Sequence, residues 1–521
     1  MTEEGTAARL VRNTLANGAG QIAGVLITLL LTPFLISDLG VEGFGIWALA
    51  LSFSFLGGYA SLTDVGIEVA IARYIAEARS DGDYDAASEV ASTGMAFFGL
   101  VAAVAAPLLV ALSYPLVLAF GIDGDVRPAA VACFAFVGGQ LIFELPARVF
   151  FATLEGAQRY VTFQAIELMR TALQALLFVV VLVTGLGVAG LGAALMASSL
   201  VVLVVAAIAA RRAVPEVHVR RRHMSRARFR TLLTFGGQYF FVRVMGTLYR
   251  QMDKAIVGVA LGPRVVTSYE IANRIQQAAS MAQSIAASAL LPATAFLRRS
   301  TEILRELYLR GTNYATAVSL AVAGAGFIFA EDLIRTWVGE SLTHSAAGAR
   351  LFLVFVAFTA VHAVGSAMIV ALGRMRFVIV VTLVFIVINL VLSVALVGPL
   401  GYEGVILGTV IANAVIWVPY TVYFLRTFDV GWGEWVRRVA LPNLPGLALQ
   451  AVTAPPLLYL ADRSSNLAVV GLLAMVSGLL SLAVFARVGL PADDRARLLV
   501  TVRRALGMGD RPVPGRPGLD H

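Results

Sequence analysis

Four charged side chains interrupt a long apolar segment, residues 230–260, that is otherwise suited to a membrane. Arg243, Arg250 and Lys254 recur at helical spacing and fall within about 40° of one helix face. Asp253 lies about 60–100° to the side, so it can hold Lys254 or Arg250 in place but cannot neutralise all three cations. A charge near the bilayer centre costs about 2.5–3.5 kcal/mol, so such groups usually face a bundle interior or a water-filled cavity. The spacing therefore favours a cationic stripe that binds an anionic ligand.

The next apolar segment, residues 266–296, is too polar to face lipid. It contains Glu270 and Arg274, four residues apart. It also contains a set of amide and hydroxyl side chains: Asn273, Gln276, Gln277, Gln283, Ser284 and Ser288. Amides and hydroxyls need hydrogen-bond partners, which hydrocarbon does not supply. The two segments together are therefore expected to line a wet, positively charged cavity, with Arg274 as a further contact for the anion.

Acid–base pairs at helical spacing occur inside other apolar segments as well. Glu144 and Arg148 are four residues apart, and Glu167 and Arg170 are three apart. For these pairs and for the pair in 266–296, two interpretations stay open: structural pairing within a helix, or contact of the arginine with a ligand. The acids that are candidates for a counter-charge or for ion coupling are Asp64, Glu68, Glu144, Glu167, Asp253 and Glu270.

The composition indicates a membrane protein without a cofactor. Of 521 residues, 59% are hydrophobic and 14% are charged, and the mean hydropathy is +0.83, whereas soluble domains rarely exceed about 50% apolar residues. The one cysteine, Cys133, excludes an intrachain disulfide, and the five histidines show no metal-ligand spacing. No nucleotide-binding P-loop is present, because the only lysine has no glycine-rich loop before it. We therefore predict no catalytic residue, no metal and no cofactor.

Charge placement in the loops predicts the orientation of the chain. Fourteen apolar spans are expected at residues 13–36, 44–64, 90–118, 129–153, 161–184, 188–210, 230–260, 266–296, 308–330, 350–372, 376–397, 402–425, 439–461 and 466–488. The loops on the side of the termini hold 29 of the 40 Lys and Arg, and the opposite loops hold five. The positive-inside rule therefore places both termini in the cytoplasm and the chain in the plasma, or inner, membrane.

The same loop charges explain the net charge of +8, so no nucleic-acid partner is predicted. The most basic loop, residues 211–230, is expected to contact anionic membrane lipids as well as to fix the topology. A protein partner is the alternative for this loop.

Two halves of the sequence resemble each other. The aligned stretches are LEGAQRY (154–160) with ALGRMRF (371–377), GLGVAG (185–190) with PLGYEG (399–404), and LGVEGFGIW (39–47) with LGPRVVTSY (261–269). Their offsets of 217, 214 and 222 residues pair six spans with six spans in the same orientation. Parallel repeats of this kind build two lobes around a central substrate path.

The predicted fold is an all-α polytopic membrane protein of about 14 transmembrane helices. Two pseudo-repeated six-helix lobes surround a central cavity, and two further helices follow at the C-terminus. The predicted divisions are a first lobe at 1–210, a basic linker at 211–229, a second lobe at 230–426, the last two spans at 427–490 and a cytoplasmic tail at 491–521. The positions of the first span that align with the stripe are uncharged, so the stripe is not a folding device shared by both lobes.

Several stretches carry a further signal: TPFLISDLGVEGFGIWALALSF, LTDVGIEVAIARYIAE, QMDKAIVGVALGPRVVTSYEIANRI and the loops LEGAQRY and ALGRMRF. Over about residues 10–490 the chain resembles polysaccharide transporters of the multidrug/oligosaccharidyl-lipid/polysaccharide exporter superfamily, which include O-antigen-type lipid-linked oligosaccharide flippases. The resemblance implies alternating access that moves a polyprenyl-diphosphate-linked glycan from the cytoplasmic to the outer leaflet. It also implies coupling to an ion gradient or to the membrane potential.

The resemblance suggests a ligand for the cations, because a diphosphate accepts hydrogen bonds from arginine forks and from lysine. The candidate contacts are Arg243, Arg250, Lys254 and Arg274, followed by Arg148 and Arg170. Implied partners are the lipid-linked glycan, membrane lipids, a glycan polymerase and glycosyltransferases. The stretch DVGIEVAIARY, which begins at Asp64, is expected to form a cytoplasmic gate or a packing motif.

Three other functions stay open. A multidrug or cation antiporter of the same superfamily usually has twelve spans and an acidic cavity. A peptidoglycan lipid-precursor flippase also has fourteen spans and a cationic cavity, with basic residues expected to be richer in the first lobe. A membrane glycosyltransferase would use carboxylates near the membrane faces, for which Asp64, Glu68 and Asp123 are candidates.

Overall fold

The protein is described here from a computed structural model, which covers residues 3–297, 300–490 and 494–495. Side chains are described for these residues except 3–23, 238–239, 242, 282, 284–297 and 375. Within this part of the chain all regular structure is helical. The α-helices are α1 Glu3–Leu51, α2 Ile67–Ser80, α3 Tyr84–Ala119, α4 Arg127–Gly139, α5 Leu141–Gly156, α6 Tyr160–Thr184, α7 Gly187–Ala213, α8 Arg226–Leu261, α9 Pro263–Leu297, α10 Thr301–Val338, α11 Ser345–Ala371, α12 Met375–Thr427, α13 Trp432–Trp435, α14 Leu444–Asp462 and α15 Leu467–Val484.

The helices account for fourteen membrane crossings. In the described part of the chain, ten segments are long and apolar enough to cross a membrane. One of them, α12, bends at Gly401 into two crossings, and α1 bends at Gly40, where a second crossing begins. The helices α8 and α9 have 36 and 35 residues but carry the charges and amides described above. The expected all-α fold of about 14 transmembrane helices is confirmed.

The second crossing is interrupted, whereas the sequence predicted a continuous span at 44–64. Helix α1 ends at Leu51, a short 3₁₀ turn follows at Tyr59–Thr63, and α2 starts only at Ile67. The interruption has a local cause at Gly57, which adopts a φ of 81°. At the neighbouring Gly58, a Cβ would lie 2.5 Å from the carbonyl oxygen of Ser52. The break exposes backbone groups in mid-crossing, which is tolerated where the backbone lines a cavity or is buried in protein.

The backbone repeats between the two halves. Gly40 and Gly262 have nearly the same dihedrals, with φ of 70° and 78° and ψ of 173° and 175°. Gly187 and Gly401 also share a positive φ, of 60° and 63°. Positive φ favours glycine, so both lobes use glycine at equivalent turns. At a third turn the positive φ values belong to Gln158 and Gly373, so the structure aligns these two residues and not Gly156 with Gly373.

The two lobes pack directly against each other at the end distant from the termini. There the segment after Gly40 contacts the start of α9, and one hydrophobic cluster includes residues of both. A Cβ on Gly45 would lie 1.8 Å from the carbonyl oxygen of Pro263, so only glycine permits this approach. The Thr267 hydroxyl donates to the carbonyl oxygen of Val41 over 2.5 Å. This end of the interface is therefore closed.

The loop between the lobes, residues 214–225, is held against α3. The Ser92 hydroxyl donates to the carbonyl oxygen of His218 over 3.1 Å and accepts from the N–H of Arg220 over 3.0 Å. The N–H of Ser225 donates to the Thr93 hydroxyl over 3.1 Å. The Ser225 hydroxyl in turn accepts from the N–H of Arg228 and caps α8. The loop is thus a fixed part of the first lobe rather than a loose connection.

Candidate functional site

Two of the three cations of the α8 stripe form ion pairs with acids of other elements. Nη1 of Arg243 lies 2.5 Å from Oδ2 of Asp64, which is fully buried beside the break in the second crossing. Nζ of Lys254 lies 2.8 Å from Oε2 of Glu270 on α9. Among the residues the structure describes, no acid lies within ion-pair distance of Arg250, whose side chain is exposed. The stripe therefore presents one uncompensated cation, Arg250, between two compensated ones.

Arg274 belongs to a buried group that links α9 to the first lobe. Its Nε lies 3.4 Å from Oε1 of Glu270, the acid that also binds Lys254. Its guanidinium donates to the Thr32 hydroxyl and, over 3.3 Å, to the carbonyl oxygen of Thr28, both on α1. One acid thus serves two cations, so this group retains a positive charge at the interface of the lobes.

Asp253 does not pair with Lys254 or Arg250, contrary to the expectation from the sequence. Its Oδ1 accepts from the Asn389 amide over 3.0 Å, and its Oδ2 accepts from the Thr409 hydroxyl over 2.6 Å. The reason is geometric, because Asp253 points into the second lobe, between the two halves of α12, and is 5% exposed. Ser393 adds a hydroxyl at 3.4 Å from Oδ1.

The surroundings of Asp253 form a compact set of oxygen atoms. The Ser393 and Thr409 hydroxyl oxygens also lie 3.0 and 3.1 Å from the Asn389 amide oxygen, and 3.4 and 3.3 Å from the carbonyl oxygen of Val405. These partners were missed from the sequence. A usable signal existed, because Asn389 and Ser393 are four residues apart and share one face of a strongly apolar helix.

The remaining predicted charges form a second buried cluster inside the first lobe. Nη1 of Arg170 lies 2.8 Å from both carboxylate oxygens of Glu144, which also binds Arg148 one helical turn away. Glu167 lies 3.3 Å from Nε of Arg170, and Glu68 of α2 lies 3.5 Å from Nη1 of Arg148. The three acids outnumber the two arginines. The contacts agree with the structural interpretation of these pairs, and ligand contact by either arginine stays a prediction.

A largely apolar cavity of about 450 Å³ lies between α9, α10 and α15. Ile275, the residue after Arg274, lines it together with Leu29 of α1. On α15 the lining residues Met475 and Leu479 are 60% and 56% exposed, so the cavity opens at the outer face of the bundle. A membrane protein exposes such a face to hydrocarbon, and the cavity can therefore admit an apolar chain from the bilayer.

Within the described part of the chain, no cluster of three or more histidine, cysteine or carboxylate side chains has the arrangement of a metal site. The oxygen set around Asp253 contains one carboxylate and otherwise neutral groups. This donor set suits a hard monovalent cation or a proton better than a transition metal.

Comparison with known proteins supports a transporter. A family model described as "Polysaccharide biosynthesis protein" matches residues 10–297. The chain is 21% identical over 368 residues to a putative O-antigen transporter of Shigella flexneri, in an alignment that covers 70% of this chain and 86% of that protein.

Two solved structures share the fold. The inward-facing conformation of a multidrug resistance MATE family transporter of the MOP superfamily superposes with a TM-score of 0.67 at 18% identity, covering 79% of this chain and 98% of that one. The lipid II flippase MurJ, in an inward closed conformation, superposes with a TM-score of 0.66 at 14% identity, covering 92% and 99%. The likeness at these identities concerns the architecture of two helical lobes.

Proposed function

Since the chain belongs to the polysaccharide biosynthesis protein family, we propose that it moves polyprenyl-diphosphate-linked oligosaccharide repeat units across the membrane. Movement from the cytoplasmic to the outer leaflet by alternating access would supply units for a cell-surface polysaccharide. The putative O-antigen transporter, 21% identical over most of its length, supports this substrate class. The loop charges support a plasma, or inner, membrane location with both termini in the cytoplasm.

The observation that carries this proposal is the exposed, uncompensated Arg250 within the stripe. A guanidinium held between two ion-paired cations can donate two parallel hydrogen bonds to a phosphate group. Arg243 is paired with Asp64 beside the break, and Lys254 is paired with Glu270 on α9. Each cation can replace part of its contact with the acid by a contact with the diphosphate. Arg274, with Glu270 shared between it and Lys254, extends the same positive region towards α1.

The apolar cavity supports a lipid-linked substrate over a water-soluble one. It begins beside Ile275, next to Arg274, and opens through α15 at the outer face. A diphosphate at the stripe could therefore leave its polyprenyl chain in or near the bilayer, where each buried CH₂ contributes about 0.8 kcal/mol.

Binding of a polyprenyl diphosphate by purified protein in lipid nanodiscs tests the proposal. Arg250→Ala should weaken binding at least about tenfold, since hydrogen bonds to charged groups contribute about 1.5–3 kcal/mol. The matched control is Arg264→Ala, because Arg264 is an exposed arginine in the first turn of α9. Equal affinities of wild type and Arg250→Ala would reject the diphosphate site.

Two relatives define the alternatives. A multidrug or cation antiporter would bind small organic cations and would not depend on Arg250. A peptidoglycan lipid-precursor flippase would prefer the complete peptidoglycan precursor to other lipid-linked glycans, which competition between the two lipids would reveal.

The transporter relatives favour a protein that is not an enzyme, and release of a new glycosidic product by purified protein would contradict that. A glycan polymerase and glycosyltransferases are the proposed protein partners.

Asp253 is the proposed site of ion coupling. A buried carboxylate without a cationic partner costs free energy, which a bound monovalent cation or a proton would lower. The Ser393 and Thr409 hydroxyls and the Val405 carbonyl provide neutral oxygens at the same place. The other candidate acids are already paired with arginine or lysine, so they serve as counter-charges in this proposal.

A further inference from the structure

A second cavity, of about 270 Å³, lies inside the second lobe between α8, α9, α11 and α12. Its lining contains the amides of Gln283 and Asn413 and the hydroxyls of Thr359, Ser366 and Thr382. None of the residues that line this cavity is an acid, lysine or arginine. The cavity is therefore lined by polar groups that carry no fixed charge, together with one histidine, His362.

The repeat identifies what occupies the same place in the first lobe. Helices α5 and α11 end at Gly156 and Ala371, and α6 and α12 begin at Tyr160 and Met375, in both cases 215 residues apart. The same offset pairs four cavity residues with the buried ion-pair cluster: Thr359 with Glu144, Ala363 with Arg148, Thr382 with Glu167 and Phe385 with Arg170. Each lobe thus contains this location, and only the first lobe fills it with charges.

The exchange of charges for neutral groups restricts what the second lobe can bind there. Thr359 and Thr382 stand where the first lobe has acids, so the second lobe lacks the groups that would attract a cation. Ala363 and Phe385 stand where the first lobe has arginines, so it also lacks the groups that would attract an anion. The space is left instead with short hydroxyl side chains and amides. This lining suits an uncharged ligand that both donates and accepts hydrogen bonds.

A buried oxygen of the cavity wall has no partner in the described part of the chain. Asn413 is 5% exposed, and its Oδ1 has no hydrogen bond to any residue that the structure describes. A buried acceptor left without a donor is destabilising, because it has lost its hydrogen bonds to water and gained none within the protein. Such a group in a native protein is normally satisfied by a ligand or by water.

Aromatic rings complete the wall. Tyr249 and Phe385 have ring centroids 5.0 Å apart, and His362 stacks on Tyr420 at 5.2 Å with an angle of 24°. The C–H faces of a sugar ring pack against aromatic faces, while its hydroxyls need amide and hydroxyl partners. The cavity offers both kinds of surface in one place, which is the combination that a sugar residue requires.

The cavity is next to the cationic stripe. Tyr249, in the cavity wall, precedes Arg250 in the sequence and is 38% exposed. Consecutive residues of a helix are about 1.5 Å apart along its axis and about 100° apart around it. A diphosphate held by Arg250 would therefore have its attached sugar within reach of the cavity edge.

We propose that this second-lobe cavity binds an uncharged sugar residue of the lipid-linked glycan. The inference rests on the proposed function, because the sugar is presented by the diphosphate bound at the stripe. It assigns sugar selectivity to Asn413 and its hydroxyl neighbours, and anion binding to the separate group around Arg250.

The experiment compares two probes on the full-length protein in nanodiscs: polyprenyl diphosphate alone, and the same lipid carrying one N-acetylhexosamine. Wild type should bind the sugar-bearing probe at least about tenfold more tightly, a difference of about 1.4 kcal/mol. Ser366→Phe introduces the residue found at the corresponding first-lobe position, Phe151, and should abolish that preference by filling the cavity. Asn413→Ala should reduce the preference without adding bulk.

The matched control is Val370→Phe, one helical turn further along α11 at a position that is 37% exposed. It should leave both affinities unchanged. Equal affinity of wild type for the two probes would show that the cavity holds water only and would overturn the sugar assignment, while the diphosphate site would stand. Failure of wild type to bind either probe would overturn the proposed function and this inference together.

Discussion

Arg243 of the second lobe and Asp64 of the first form an ion pair across the interface of the lobes, with Nη1 2.5 Å from Oδ2. Asp64 is fully buried, whereas the Arg243 side chain is 29% exposed. The pair lies beside the break in the second crossing, so it joins the one irregular backbone of that crossing to the stripe on α8.

Arg243→Ala should destabilise the protein by about 3 kcal/mol, because it leaves the Asp64 carboxylate buried without its cation. Asp64→Asn added to this variant should recover most of the loss, since the uncompensated charge is then absent. Equilibrium unfolding of the two single variants and the double variant in detergent measures the coupling. Additive losses would contradict a direct pair.

Close approach of α8 to the segment after the break should depend on Gly236 and not on Gly237. A Cβ at Gly236 would lie 2.7 Å from the carbonyl oxygen of Val65, whereas a Cβ at Gly237 would meet nothing within 4 Å. Both alanine variants gain similar helix propensity, about 1 kcal/mol. Gly236→Ala should therefore push the two segments apart, and Gly237→Ala should not.

Disulfide formation reports that separation. Ser61 and Thr247 have hydroxyls 3.2 Å apart across the same interface. With both replaced by cysteine and Cys133 replaced by serine, oxidation should cross-link the two positions readily. The yield should fall in Gly236→Ala and stay high in Gly237→Ala, and equal yields would contradict the steric argument.

Glu144→Gln should be far more harmful than Glu167→Gln. The first change removes the carboxylate shared by Arg148 and Arg170, both almost fully buried, and should cost about 3–5 kcal/mol. The second removes a partner that is 27% exposed and makes one contact, so a loss of about 1 kcal/mol is expected. Equilibrium unfolding in detergent compares them, and similar losses would show that Glu144 is not the centre of the cluster.

Asp253→Asn should remove the dependence of the protein on its coupling ion. If the ion is Na⁺, the unfolding temperature of wild type should be higher in Na⁺ than in choline at equal ionic strength. If the ion is a proton, the unfolding temperature should be higher at lower pH. A ligand at one hundred times its Kd stabilises by about 2.7 kcal/mol. Asp253→Asn should show no such shift, whereas the control Asp462→Asn, at an 80% exposed position, should behave as wild type. Retention of the shift in Asp253→Asn would reject the site.

Local spacing predicted the contacts that lie within one helix. The pairs Glu144–Arg148 and Glu270–Arg274 were predicted because residues four apart share a helix face. Glycine-containing turns likewise predicted the repeat, since Gly40 and Gly262 need a conformation that other residues rarely adopt.

Contacts between distant helices could not be predicted from one sequence. The partner of Lys254 lies on the next helix, and the partners of Asp253 are 136 to 156 residues away in the chain. Helical periodicity gives the face on which a charge lies but not which neighbouring helix covers that face. The break at Gly57 was missed for a related reason. The mean hydropathy of a run of residues carries no information about their backbone dihedral angles.

Ser225 has a mechanical consequence for any movement between the lobes. Its N–H donates to the Thr93 hydroxyl of α3, and its hydroxyl accepts from the N–H of Arg228 in α8. One residue therefore connects α3 with the start of α8. The start of α8 also packs on the first lobe through Phe229, Leu232 and Phe235, so a relative movement of the lobes has to bend α8 or break these contacts. The Ser92 hydroxyl holds the backbone at His218 and Arg220, so the basic residues beside them are expected to stay with the first lobe in such a movement.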